Sequence, residues 1–171
     1  MKIGLTGAQD AGEPFFAGRN SMGYDHYSFY LSLRKMGRIK SLVVGRYKVK
    51  MGMGLVINNN IGLGKLTSLS SLGRQSNYIG GYSSRSDANY LQGAAITVSL
   101  PANMELTSFA SYREIDATLN KDDGSIATIL KTGYHRTPTE MEKKNNSSQS
   151  LAGGNLSFDK NGFHAGVTAL Y

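Results

Sequence analysis

Tyr27-Ser28-Phe29-Tyr30-Leu31-Ser32-Leu33-Arg34 and, after a short turn, Val43-Val44-Gly45-Arg46-Tyr47-Lys48-Val49-Lys50-Met51-Gly52-Met53-Gly54-Leu55 alternate apolar and polar side chains almost without interruption. Successive side chains on a strand point to opposite faces. The alternation predicts one face with Tyr27, Phe29, Leu31 and Leu33, continued on the next strand by Val43, Tyr47, Val49, Met51 and Met53. It predicts a second face with Ser28, Ser32, Arg34, Arg46, Lys48 and Lys50. An apolar outside and a polar, basic inside are what a membrane-spanning β-barrel requires.

Composition narrows the classes. The 171 residues include 21 glycines, only 3 prolines and no cysteine, which excludes disulfide scaffolds, thiolate metal sites and cysteine nucleophiles. No run approaches the roughly 18 apolar residues of a helical membrane span. Mean hydropathy is slightly negative. Barrels tolerate that value because only alternate residues face lipid. The net charge of +7 points to an anionic solute, an anionic lipid or a nucleic acid. The basic residues are spread over strands and turns, so no nucleic-acid site is expected. The N-terminus Met1-Lys2-Ile3-Gly4-Leu5 has no apolar segment of the secretory kind, so three expectations stay open: a mature chain, a truncated one, or a protein that is not of the outer membrane.

Further strands are predicted at 2–8, 25–35, 39–57, 90–100, 104–116, 149–158 and 163–171. In the later ones Val98, Phe163 and Val167 join the lipid-facing set. Within 104–116, Phe109 and Ile115 fall out of phase with Leu106, Ala110 and Tyr112. The turns near 36, 102 and 161 are short; the segments 9–23, 58–88 and 117–148 are long. Tight turns on one side and long loops on the other are the rule for transmembrane barrels. Asn161-Gly162 is the favoured type I′ pair. Thr137-Pro138-Thr139-Glu140 carries a capping box and Pro at N1, which predicts a short helix over 138–144. The fold class is therefore all-β: an antiparallel up-and-down meander, one segment of a transmembrane barrel spanning residues 1–171. Seven strands leave it incomplete, because single-chain barrels have even numbers. Ile126-Ala127-Thr128-Ile129-Leu130 is the best candidate for a missed strand.

Chemistry-bearing motifs are few. Gly62-Leu63-Gly64-Lys65 lacks the earlier glycine and the following Ser or Thr of a phosphate loop. Arg34, Arg46, Lys48 and Lys50 form the expected lumen-facing row, a possible contact for anions. Asp25-His26 cannot act as an acid–base pair on a strand, since neighbours face opposite ways. His135 and His164 have no nucleophile nearby in sequence. Tyr24, Tyr27, Tyr90 and Tyr112 lie near strand ends, where interfacial girdles sit, although β-propensity also enriches tyrosine.

Several segments resemble one family: Asp10-Ala11-Gly12-Glu13-Pro14-Phe15-Phe16, Gly23-Tyr24-Asp25-His26-Tyr27-Ser28, Gly45-Arg46-Tyr47, Gly52-Met53-Gly54-Leu55, Leu91-Gln92-Gly93-Ala94-Ala95, Thr132-Gly133-Tyr134-His135-Arg136-Thr137 and Gly153-Gly154-Asn155-Leu156. They are similar to the barrel region of Bacteroidetes outer-membrane proteins that carry N-terminal helix-hairpin-helix repeats of the competence type. The repeats are absent here, and Gln92 stands where that pattern has arginine. The resemblance implies an outer-membrane location and a barrel that extends beyond both ends of this chain. The expected function is passage or surface binding of an anionic solute or polymer, with outer-membrane lipid as a partner, no cofactor, no metal and no enzymatic activity. Two readings stand beside it: a soluble β-sandwich-like binding module with a basic face, and a barrel hydrolase using His26 or His135.

Overall fold

Eight strands, seven of them in up-and-down order, form one antiparallel sheet in the computed structural model, which describes residues 1–17, 20, 23–60, 76–84 and 89–171. In chain order the strands are β1 (Lys2–Ala8), β2 (His26–Met36), β3 (Ile39–Lys50), β4 (Tyr78–Gly81), β5 (Leu91–Leu100), β6 (Met104–Ile115), β7 (Ala117–Leu119), β8 (Ile126–Ile129), β9 (Ser147–Lys160) and β10 (Phe163–Leu170). The single helix among the described residues is α1 (Pro138–Lys143). Spatial order follows chain order, β1-β2-β3-β5-β6-β9-β10, with β4 added to the side of β3. The sheet is not closed into a barrel. The apolar piece at 126–130 does form a strand, but β8 pairs with β7 in a separate hairpin and adds nothing to the sheet. The glycine-lysine motif at 62–65 lies outside the described residues.

Local chemistry accounts for the boundaries. Asn161 and Gly162 both take positive φ, as a type I′ turn requires. Gly37 and Arg38 close the β2–β3 hairpin, with Met36 paired to Ile39. The capping box of α1 is formed: the Thr137 hydroxyl accepts from the Glu140 N–H, and the Glu140 carboxylate accepts from the Thr137 N–H. β3 ends at Lys50, earlier than expected, because Met51–Gly54 turn back and Asn59 N–H bonds to the Val49 carbonyl.

The two faces of the sheet differ sharply. One row crosses it as Ile3, Leu31, Val44, Ala94, Ala110, Ala152 and Tyr171, each side chain beside the next. Another runs Val98, Leu106, Leu156, Val167. These rows are largely bare: Ile3 is 61% exposed, Val44 41% and Val167 74%. One residue along, on the other face, the row reads Thr97, Thr107, Asn155, Thr168. Thr97, Thr107 and Asn155 are buried, and the row is hydrogen-bonded, Thr97 to Thr107 at 3.1 Å and Asn155 Nδ2 to Thr168 Oγ1 at 2.8 Å. Asn77 reaches in from before β4 to donate to Asn155 Oδ1 at 2.8 Å.

Register corrects the expected face of β3. In the β2–β3 hairpin Leu31 pairs with Val44 and Leu33 with Leu42. Paired residues share a face, so Val44 and Leu42 continue the row of Phe29 and Leu31. Val43, Tyr47, Val49 and Met51 point the other way and are buried at 0–2% exposure. They form a core with Ile79 of β4, Leu91, Ala95 and Phe109. Hydrocarbon therefore does not solvate them; protein does. Met53 is exposed but lies in the turn beyond β3. Tyr27, Phe29, Leu31, Leu33, Val98, Phe163 and Val167 lie on the bare face or at its margin. The phase break in β6 has the same cause: Phe109 and Ile115 face the covered side, while Leu106, Ala110 and Tyr112 face the bare one.

Two glycines are needed where they stand. Gly45 has φ +101 and a Cβ there would lie 2.4 Å from the Phe29 carbonyl oxygen. Gly93 has φ +148, with the Ala110 carbonyl oxygen 2.3 Å from the same position. Side chains at either point would push adjacent strands apart.

Candidate functional site

Loop residues far apart in sequence converge where β2 and β5 begin and β6 ends. Asp25 precedes β2, Asp116 follows β6, His135 precedes α1 and Lys144 follows it. His135 is buried and uses both ring nitrogens: Nδ1 lies 2.6 Å from Asp25 Oδ2 and Nε2 lies 2.8 Å from Asp116 Oδ2. Its backbone N–H donates to Glu13 Oε1 at 3.1 Å. Lys144, also buried, donates to Asp25 Oδ1 at 2.8 Å, and Asn20 donates to the same oxygen at 2.8 Å. Asp116 accepts in addition from the Asn145 N–H at 2.8 Å.

The charges follow from this geometry. Burial alone would raise the pKa of Asp25; hydrogen bonds from His135, Lys144 and Asn20 outweigh it and bring the value down to about 2. Burial would likewise lower His135, but its bonds to Asp116 and Asp25 raise it to about 9. The cluster is therefore an imidazolium and an ammonium between two carboxylates. Glu13, Asp25 and His135 do place one ligand atom each within 4.8 Å of one another, a spacing a metal ion accepts. The bonds argue for ion pairing instead, because both nitrogens of His135 are occupied and Lys144 already supplies a cation to Asp25. The same occupancy leaves His135 no lone pair for a substrate proton.

Beside this cluster is a cavity of about 240 Å³ whose lining includes Arg46, Tyr90, Arg113, Lys131 and Gln149. The Arg46 guanidinium carbon lies 4.2 Å from the Tyr90 ring centroid and that of Arg113 lies 4.9 Å from it. Tyr90 stacks on Tyr82 at 6.0 Å, and Lys48 Nζ lies 4.9 Å from the Tyr82 ring. Arg46 also lies 3.1 Å from His26 Nε2 and donates to Gln92 Oε1 at 3.3 Å. Arg113 donates to Gln149 Oε1 and to the Tyr90 carbonyl, each at 3.0 Å.

The expected basic row is thus divided. Arg46, Lys48 and Lys50 alternate with the buried Tyr47 and Val49, so by register they continue the side of Val44 and not the side opposite Phe29 where a lumen row was expected; the first two enter the aromatic stack. Arg34 pairs across from Ser41 on the opposite face and is exposed. Tyr90, expected at an interface, is buried between arginines. Asp25 and His26 do diverge: Asp25, just ahead of β2, meets His135, and His26, at its first position, meets Arg46. His164 pairs with Asp159 at 3.0 Å on the exposed hairpin. Arg113 went unnoticed in the sequence, because it lies in the stretch 104–116 where the alternation is broken. The His135–Asp25–Asp116 cluster had no signal, since its members belong to separate segments. Comparison with protein-family models, with curated proteins and with solved structures returns no match for this chain.

Proposed function

We propose that this chain is part of the wall of an outer-membrane β-barrel, is not an enzyme, and passes or binds an anionic solute or polymer on its polar side. The observation that carries this reading is the pair of apolar rows that cross the sheet, Ile3 to Tyr171 and Val98 to Val167, the second backed one residue away by a hydrogen-bonded polar row. A solvated face of a soluble sheet would alternate the other way, and a sandwich would cover it. Among the described residues the other sheet has only two strands.

Aromatic placement supports the same reading. Phe15, Phe16, Tyr24 and Tyr27 are exposed and in edge contact at the start of β2. Phe158 and Phe163 pair at the opposite, short-turn end. From Phe163 to Tyr171 the chain covers about 27 Å at roughly 3.4 Å per residue. At a tilt of about 40° that rises about 21 Å, most of an apolar band of about 25 Å. The ion-pair cluster and the cavity would then stand on the long-loop side.

The test is folding in non-ionic detergent micelles. The full chain should gain strand circular dichroism only with detergent and migrate differently before and after boiling. A chain that folds and stays monodisperse in plain buffer would overturn the reading.

A further inference from the structure

We infer that the cavity between Arg46, Tyr90 and Arg113 is a binding site for a phosphate monoester or inorganic phosphate. This deepens the proposed anion contact and moves it from a row along β3 to one place at the long-loop end. Both guanidiniums sit against the same ring, at 4.2 and 4.9 Å, so both are within reach of one small ligand in a cavity of about 240 Å³. Arg113 is held by neutral acceptors, Gln149 Oε1 and the Tyr90 carbonyl, which orient it without cancelling its charge. Lys131 adds a third cation at the rim, and Glu114 is the lining carboxylate outside the ion-pair cluster. His135 and Lys144 are already balanced by Asp25 and Asp116. A net positive cavity with two planar forks fits a dianionic, multi-oxygen group better than a single carboxylate. Two like charges held together cost free energy that a dianion recovers on binding.

The experiment is a phosphorus NMR titration of the full chain folded in maltoside micelles, which contain no phosphate. The probes are inorganic phosphate and, separately, micelles doped with phosphatidic acid. Saturable binding that weakens with added salt is expected, with acetate a poorer competitor. Arg113→Gln should weaken it about tenfold or more. Lys131→Gln, at an exposed position, should weaken it about twofold to threefold. Saturation by phosphate identifies a soluble ligand; saturation by phosphatidic acid alone identifies a lipid headgroup; each supports the site. Absence of Arg113-dependent binding of either probe by a chain that shows heat-modifiable migration overturns it. Failure of that migration instead counts against the membrane reading, so the two are separable.

Discussion

His135 Nδ1 lies 2.6 Å from the Asp25 carboxylate, 110 residues away in the chain, and so fastens the segment before β2 to the segment before α1. Asp116 on the other ring nitrogen adds the end of β6 to the same knot. Replacing His135 with Gln removes the positive charge and leaves two carboxylates facing each other. The expected loss is about 3 kcal/mol, as for other broken buried pairs, read from urea unfolding in micelles.

The pH dependence has a definite sign. His135 is raised from its ordinary 6.5 to about 9, so its contribution is complete below 6.5 and fades as pH rises through about 9. Asp25 is lowered from 3.8 to about 2, so its contribution is complete above 3.8 and fades as pH falls toward about 2. Urea midpoints should therefore fall on the alkaline side in the native chain and much less in His135→Gln. Parallel curves for the two proteins would contradict the assignment.

Charge on the bare face is costly only if lipid or detergent covers it. Ala94→Arg, in the middle of that face, should cost about 2–4 kcal/mol in bilayers and reduce the heat-modifiable fraction. An indifferent Ala94→Arg would mean water bathes this face.

The covered core behaves as a protein interior. Met51→Ala, at 2% exposure, should cost about 2–4 kcal/mol through transfer and cavity terms. Val167→Ala, at 74% exposure, should change the same midpoint far less. The comparison checks that protein, not hydrocarbon, solvates the inner side of β3.

Gly93→Ala places a Cβ 2.3 Å from the Ala110 carbonyl oxygen at φ +148. A strained backbone of this kind costs about 1–3 kcal/mol. The β5–β6 pairing should open, seen as faster amide exchange at Gln92 and Ser111 than at Val98.

Much of the sheet was legible because period-two alternation and turn residues are local. The seven up-and-down strands of the main sheet, the type I′ turn at Asn161-Gly162 and the capping box at Thr137 all follow from neighbours in sequence. β4 was missed: Tyr78-Ile79-Gly80-Gly81 is too short to display a period, and it is a strand only because β3 offers an edge. The cluster around His135 was illegible because no local pattern links residues 25, 116 and 135.

The face assignment of β3 marks the boundary. The sequence by itself determined that β3 is a strand with two unlike faces. Alternation joined the apolar face of Val43, Tyr47 and Val49 to that of Phe29 and Leu31, a link that the period of one strand cannot fix. Pairing across the tight turn settles it: Met36 opposite Ile39 forces Leu31 opposite Val44, so Val44 is bare and Val43 buried. A strand's own residues fix its period, but only its partners fix which side faces out.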